Sequence, residues 1–277
     1  MKISNKIKKI IPYKLGVKIR GGWQKLMAVY YKGTKYTCPY CKKSFRKMLP
    51  GGFDFPVIKE KNIIGGGYRK NDVCPRCFST DRDRLIYWFL KNKTDIFEKK
   101  YKVLHIAPEG CLKALLLSQK NIEYYTGDKF TKGYNAYYYD RNDVILMDVT
   151  NIPYKNNEFD IIICNHVLEH IIDDKKALSE IFRVLKPNAW AMLQVPISLK
   201  LDKTFQDDTI ITPKDREKYY GQFDHVRIYG KDYKQKLEEA GFKVEIFNPV
   251  KDIFTSEDDI IKYAVNPEEN IYIVHKP

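Results

Sequence analysis

The sequence has no apolar run near the ~18–20 residues that a membrane span needs, which excludes a transmembrane reading. Its N-terminus lacks the apolar stretch of roughly 7–15 residues carried by secretory signals. A reducing cytosol is therefore the expected setting. Acidic residues are scarce in the first hundred positions, which hold 25 Lys/Arg against 7 Asp/Glu, whereas residues 101–277 hold 24 against 28. The whole chain of 277 residues carries a net charge of +14, so the excess is confined to one end. That asymmetry predicts a basic module followed by a near-neutral one. With 44% apolar and 30% charged residues the composition is globular, neither disordered nor collagenous.

The basic end begins with a segment, residues 1–36, that contains no acid. Ile3, Ile7 and Ile10 recur at helical spacing with Lys between them, but Pro12 and the pair Gly21-Gly22 predict only short helical pieces. Such a segment suits contact with an anionic membrane surface, at the inner face of the membrane for a cytosolic protein. It also suits a phosphate backbone, or a solvated covering tail.

Cysteine is used sparingly and in a pattern. Of six, at 38, 41, 74, 77, 111 and 164, four form the pairs Cys38-Pro-Tyr-Cys41 and Cys74-Pro-Arg-Cys77. Two residues between thiolates let one tight turn aim both sulfurs at one ion, and proline pre-sets that turn. Two such turns complete a four-sulfur shell that suits structural Zn2+ and leaves no open position for catalysis. Residues 37–98 thus read as a zinc-ribbon-like module. Its last part, Asp81–Leu90, reads as a linking helix that buries Leu85, Ile86, Trp88, Phe89 and Leu90.

From residue 99 the pattern alternates between strands and helices. Strands are predicted at Tyr101–Ala107, Glu123–Gly127, Val144–Met147, Phe159–Cys164, Trp190–Val195, Phe242–Phe247 and Ile271–Val274. Helices are predicted at Leu112–Lys120, Ala177–Leu185 and Tyr233–Ala240, the last stopped by Gly241. Phe159–Cys164 is apolar enough to be buried on both faces of a parallel sheet. This is a doubly wound α/β domain, whose ligands bind at the carboxyl ends of the strands. Asp128 and Asp148 fall at two such ends. A carboxylate there can accept hydrogen bonds from ribose hydroxyls, although an Asp at a strand end also serves as a helix cap.

The run Ile152–Pro187, with FDIIIC, LEH and RVLKP in order, resembles class I S-adenosylmethionine-dependent methyltransferases. The resemblance covers residues 101–277 and is most specific over 143–196. It implies a Rossmann-like seven-stranded sheet whose last strand is antiparallel, with S-adenosyl-L-methionine as cofactor. Asp128 matches the ribose acid, Asp148 and Val149 the adenine position, and Asn165 and His166 the segment beside the methionine. The first loop, Ala107-Pro108-Glu109-Gly110, keeps one glycine of the usual several. Pro187-Asn188-Ala189 replaces Pro-Gly-Gly, a change that Asn tolerates because it can adopt the left-handed conformation.

His166–His170 also fits H-x-x-E-H, an inverted metalloprotease signature that needs both histidines on one helical face. Its position directly after a buried strand argues against that reading. A divalent-ion site at His166, Glu169 and His170 is a weaker variant; some quinone O-methyltransferases similar to this chain have metal ligands nearby. Capping and orientation of the loop by Glu169 and His170 is the preferred reading. The segment 197–230 is expected to cover the acceptor, and its cluster Asp224-His225-Val226-Arg227 reads as a site. A neutral histidine suits proton removal from an oxygen acceptor. His225 is the expected base, Asp224 its orienter, Arg227 the anchor for an anionic or sugar group, and His166 the reserve. A glycan or small-molecule acceptor is favoured. RNA held by the basic module, and a non-catalytic scaffold of the same fold, are the alternatives.

Overall fold

The computed structural model describes residues 13–129 and 144–277. Ile3, Ile7, Ile10 and Pro12 lie outside the described residues. The described residues open with helix α1 (Tyr13–Tyr30), which runs unbroken through Gly21 and Gly22. This corrects the expectation of short helical pieces. Two interior glycines cost about 2 kcal/mol of helix propensity relative to alanine. Packing opposes that cost: Trp23 meets the Phe78 ring at 5.7 Å and Ala28 packs onto the cysteine cluster.

Strands β1 (Lys32–Cys38) and β2 (Lys43–Phe45) form one antiparallel pair. β3 (Leu49–Gly51) and β5 (Arg69–Val73) form another, with helix α2 (Pro56–Glu60) and β4 (Ile63–Ile64) between them. Helix α3 (Asp81–Lys93) follows, opened by a capping box in which Thr80 and Asp83 satisfy each other's main-chain N–H. It buries Leu85, Ile86, Phe89 and Leu90, as its apolar pattern predicts, in one core with Val103, Ile161 and Ile163 of the sheet. Its Arg84 is fully buried. The guanidinium donates to the carbonyls of Asp72 and Ser79 on one side and Tyr263 and Ala264 on the other, clasping the N-terminal module to the rest of the chain.

The remaining strands are β6 (Tyr101–Ile106), β7 (Ile122–Asp128), β8 (Ile145–Leu146), β9 (Phe159–Asn165), β10 (Leu185–Gln194), β11 (Ile197–Ser198), β12 (Lys243–Phe247) and β13 (Ile271–His275). Seven of them build one sheet in the order β12-β13-β10-β9-β6-β7-β8. β13 runs antiparallel to both its neighbours, whereas β10, β9, β6, β7 and β8 are mutually parallel. This is the Rossmann-like methyltransferase arrangement. At its centre β9 buries Ile161, Ile162 and Ile163 on both faces, each worth about 1.5–3 kcal/mol of apolar transfer.

Among the described residues the further α-helices are α4 (Gly110–Leu117), α5 (Asp174–Val184), α6 (Pro213–Tyr220), α7 (Tyr233–Glu239) and α8 (Glu257–Tyr263). α5 turns Ala177, Leu178, Ile181 and Val184 into the core, the stripe expected of it. Gly241 stops the segment after α7 at φ 97°, a conformation that side chains disfavour. Asn188 takes the left-handed conformation expected of it, at φ 60°. β4 pairs with β11, and Ile58 and Ile63 pack with Ile210, Tyr220 and Ile228. The segment 197–230 therefore shares a core with the N-terminal module, not only with the sheet.

Candidate active site and cysteine centre

The two cysteine turns have one geometry. Lys42 N–H donates to the Cys38 carbonyl and Phe78 N–H to the Cys74 carbonyl, at 2.9 and 3.0 Å, and both donor residues are left-handed. Each turn thereby aims two sulfurs the same way. Cys38 and Cys77 Sγ lie 3.5 Å apart, Cys41 and Cys74 Sγ 3.7 Å, and all four within 4.8 Å of one another. Tetrahedral zinc with 2.3 Å bonds spaces its sulfurs about 3.8 Å apart, so the four thiols fit the ion. Cys111 is not part of the shell; its thiol donates to the Cys77 carbonyl, which ties the turn to α4. Cys164 is buried within β9.

At the carboxyl ends of the strands, register places the loop after β6 beside the end of β9: Ile106 pairs with Cys164. Ala107 and His166, the residues just past these two ends, are both left-handed without being glycine, at φ 49° and 54°. Such strain costs on the order of 1–3 kcal/mol and marks functional turns when found. Ala107 thus holds a backbone shape ordinarily given to glycine, which explains how the loop manages with Gly110 alone. Gly110 begins α4, with open space where a Cβ would be.

Buried polar atoms without hydrogen-bond partners gather here: both amide atoms of Asn165, Oε1 of Glu109 and Nε2 of His166. Such groups are costly unless a ligand meets them. Glu109 is held by His105, whose Nε2 lies 2.7 Å from Oε2 and whose Nδ1 lies 2.8 Å from the Tyr124 hydroxyl. Burial raises the pKa of Glu109, but the His105 bond and the Arg82 charge outweigh it and leave the carboxyl below its ordinary value. Asp128 is buried at the end of β7 and borders 130–143, which lie outside the described residues. Asp148 is half exposed, with Oδ1 accepting from the Thr150 N–H and hydroxyl and Oδ2 4.0 Å from Lys129 Nζ. The Val149 side chain is buried in the sheet's core. Asp128, Glu109, Asn165 and His166 together suit the polar parts of S-adenosylmethionine.

Next to these residues lies a crevice of about 640 Å³. Its floor is His166, Glu169, His170 and Pro196, and one wall is Gln222, Phe223 and His225. The opposite wall comes from the N-terminal module: Phe53, Gly65, Gly66, Arg69 and Arg82. Sequence reasoning missed that second wall. The signal was present in the glycine-rich stretch 65–67, where Gly65 is left-handed at φ 91° against His166. Glu269 was also missed. It is buried beside Arg82, Arg69, Asp81 and Asp72, and burial followed by the Asp81 charge raises its pKa to about 7.

His225 lines the crevice, buried and neutral at pH 7, because burial lowers its pKa to about 4. Burial, then the Arg82 charge, lowers His166 too. Two expectations need correction. The carboxylate of Asp224 accepts from Gln222 Nε2 at 2.8 Å and lies 3.4 Å from His170 Nδ1, which ties it to His170 as orienter. Arg227 is no acceptor anchor. It is 1% exposed, donates to the carbonyls of Leu168, Ile171 and Ile172 and to Gln206, and pairs with Asp174 at 3.2 Å. It fixes the loop after β9 instead.

The loop itself is one 3-10 turn, Leu168–His170, so His166 and His170 share no helical face and the protease geometry is absent. His170 does orient the loop, through Asp224. Glu169 caps nothing with its side chain: it is 1% exposed and neither carboxylate oxygen has a hydrogen-bond partner.

Residues 112–193 match the family model described as a methyltransferase domain. No curated protein matches the chain. Among solved structures, a SAM-dependent methyltransferase from Archaeoglobus fulgidus is 16% identical, with TM-score 0.46, over 72% of this chain and 95% of that one. A Burkholderia thailandensis 1,6-didemethyltoxoflavin-N1-methyltransferase with bound S-adenosylhomocysteine is 14% identical, with TM-score 0.46, over 71% and 77%. Haemonchus contortus phosphoethanolamine N-methyltransferase 2, in complex with S-adenosyl-L-methionine, is 15% identical, with TM-score 0.43, over 72% and 57%.

Proposed function

We propose that this protein is an S-adenosylmethionine-dependent methyltransferase that methylates a hydroxyl of a glycan or small molecule, with a zinc-filled cysteine centre holding one wall of its acceptor crevice. The observation that carries the reading is the pair of left-handed residues, Ala107 and His166, at adjacent strand ends, with the unpartnered amide of Asn165 directly before His166. When bound, S-adenosylmethionine supplies an electrophilic methyl group. Asp128 would hold the ribose, and Glu109 and Asn165 the amino-acid end. Alignment of the acceptor oxygen supplies most of the rate. His225 and His166 face the crevice as neutral imidazoles; His225 is the base that takes the acceptor's proton, with His166 in reserve.

The crevice volume lies within the roughly 300–1,000 Å³ of small-molecule sites. The rings of Phe53 and Phe223 at its walls suit the flat apolar face of a sugar. Isothermal titration with S-adenosylmethionine tests the enzyme reading against a scaffold: heat of binding is expected, and none at saturation would overturn it. His225→Ala is expected to abolish transfer to a sugar acceptor while that heat is retained. RNA binding that weakens steeply with salt would move the acceptor to nucleic acid.

A further inference from the structure

We infer that Glu169, His170 and His225 form a second metal site, for a divalent cation of the zinc class, with an open coordination position facing the acceptor crevice. One donor atom from each residue lies within 4.8 Å of the others, and all three residues line the crevice. Zinc bonds of about 2.0–2.2 Å bring such donors roughly 3.3 Å apart, a contraction that side-chain rotation supplies.

Three further observations point to an ion here. The Glu169 carboxylate is buried and both its oxygens lack hydrogen-bond partners; His166 Nδ1 is near at 3.2 Å but outside hydrogen-bond geometry. A buried carboxylate left in that state is costly, and a cation resolves it. His170 turns Nδ1 toward the carboxylate and carbonyl oxygens of Asp224, at 3.4 and 3.3 Å. That leaves Nε2 as its metal-facing atom, in the carboxylate–histidine arrangement that fixes the tautomer of metal-bound histidines. The His170 and His225 rings stand edge to face, with centroids 4.7 Å apart, each with a nitrogen within 4.8 Å of a Glu169 carboxylate oxygen. Two imidazoles and one carboxylate are a donor set for zinc or a first-row transition ion and a poor one for Mg2+ or Ca2+.

The role of the ion, not the site itself, rests on the methyltransferase reading. There the ion would hold an acceptor oxygen, and His225 would serve as ligand, leaving His166 to take the proton. The test uses the full-length protein with its cysteine centre filled with zinc, titrated with Co2+ alone. One further equivalent is expected, with visible d–d bands and no thiolate charge-transfer band. Glu169→Gln and His225→Gln should weaken that uptake about 100-fold while the zinc content stays at one per chain, which reports an intact fold. His170→Gln, at the most exposed of the three positions, gives the same result if either variant fails to fold. No second equivalent, or one that all three variants retain, overturns the site. Heat of S-adenosylmethionine binding on the same preparation reports separately on the enzyme reading.

An independent observation concerns α1. Leu15, Ile19, Leu26, Val29 and Tyr30 are all at least half exposed and share one face of the helix, beside exposed Lys18 and Lys25. We propose that this face docks on an anionic bilayer. The apolar stripe would enter the headgroup region, and an acid-free segment would meet the surface charge. Co-flotation with phosphatidylserine-containing vesicles is expected, with little on phosphatidylcholine alone, and Leu26→Asp should reduce it at least tenfold. Equal binding to both vesicle types, no binding, or RNA binding that Leu26→Asp leaves unchanged would overturn the docking.

Discussion

Gly65 and His166 meet where the N-terminal module abuts the sheet: a Cβ added to Gly65 would stand 3.3 Å from His166 Cε1 and 3.4 Å from Glu269 Oε1. Gly65 is left-handed, and so is His166. Two left-handed turns from segments 101 residues apart in the chain thus meet at the crevice. The cysteine module lines the crevice beside the sheet, and its Gly65 loop stands against His166.

Gly65→Ala is expected to act at both levels. Alanine at φ 91° costs more than about 1 kcal/mol, and the added carbon displaces the imidazole. Chemical denaturation should show that loss, and transfer should slow by about tenfold or more, with zinc content unchanged. Wild-type turnover in the variant would show that the module wall does not control His166.

Asp128→Asn should weaken S-adenosylmethionine without unfolding the chain. A hydrogen bond to a charged group is worth about 1.5–3 kcal/mol, so affinity should fall roughly 10- to 100-fold by isothermal titration. An unchanged dissociation constant would remove Asp128 from the ribose site.

The sheet was legible because its signals are local: the apolar run Phe159–Cys164, the stripe of α5 and the acids at strand ends all lie within single elements. The cysteine cluster was legible for the same reason. Contacts between distant segments were not. Arg227 looked like a ligand residue because nothing in the sequence shows that carbonyls of residues 168–172 consume its donors. Asp224 neighbours His225 in sequence but orients His170 in space, because Val226 N–H bonds the Glu169 carbonyl and draws the two loops together. The unbroken α1 was missed because propensity alone weighs Gly21-Gly22 without the Trp23–Phe78 contact.

Cys74→Ser should test the structural role of the cysteine centre. Three thiolates hold zinc less tightly, and binding energy there is folding energy. Loss of the ion is expected to open residues 37–80 to limited proteolysis and to remove transfer, since that segment supplies Phe53, Gly65 and Arg69 to the crevice. Wild-type protease resistance in a zinc-free variant would show that the module folds on its apolar contacts alone.

The last prediction concerns Glu269. Burial, then the Asp81 charge, raises its folded pKa to about 7 against the opposing charges of Arg82 and Arg69. An unfolded glutamate titrates near 4.3. Between those values the folded chain keeps a proton that the unfolded chain has released. Stability therefore falls as pH rises through this window and levels off above it, a total on the order of 3 kcal/mol. Glutamine mimics the protonated form and removes the slope. Urea denaturation at pH 6 and pH 8 should show wild type losing about 1 kcal/mol relative to Glu269→Gln over that interval. Parallel pH profiles for the two proteins would mean that Glu269 is paired strongly enough with Arg82 to stay ionised throughout.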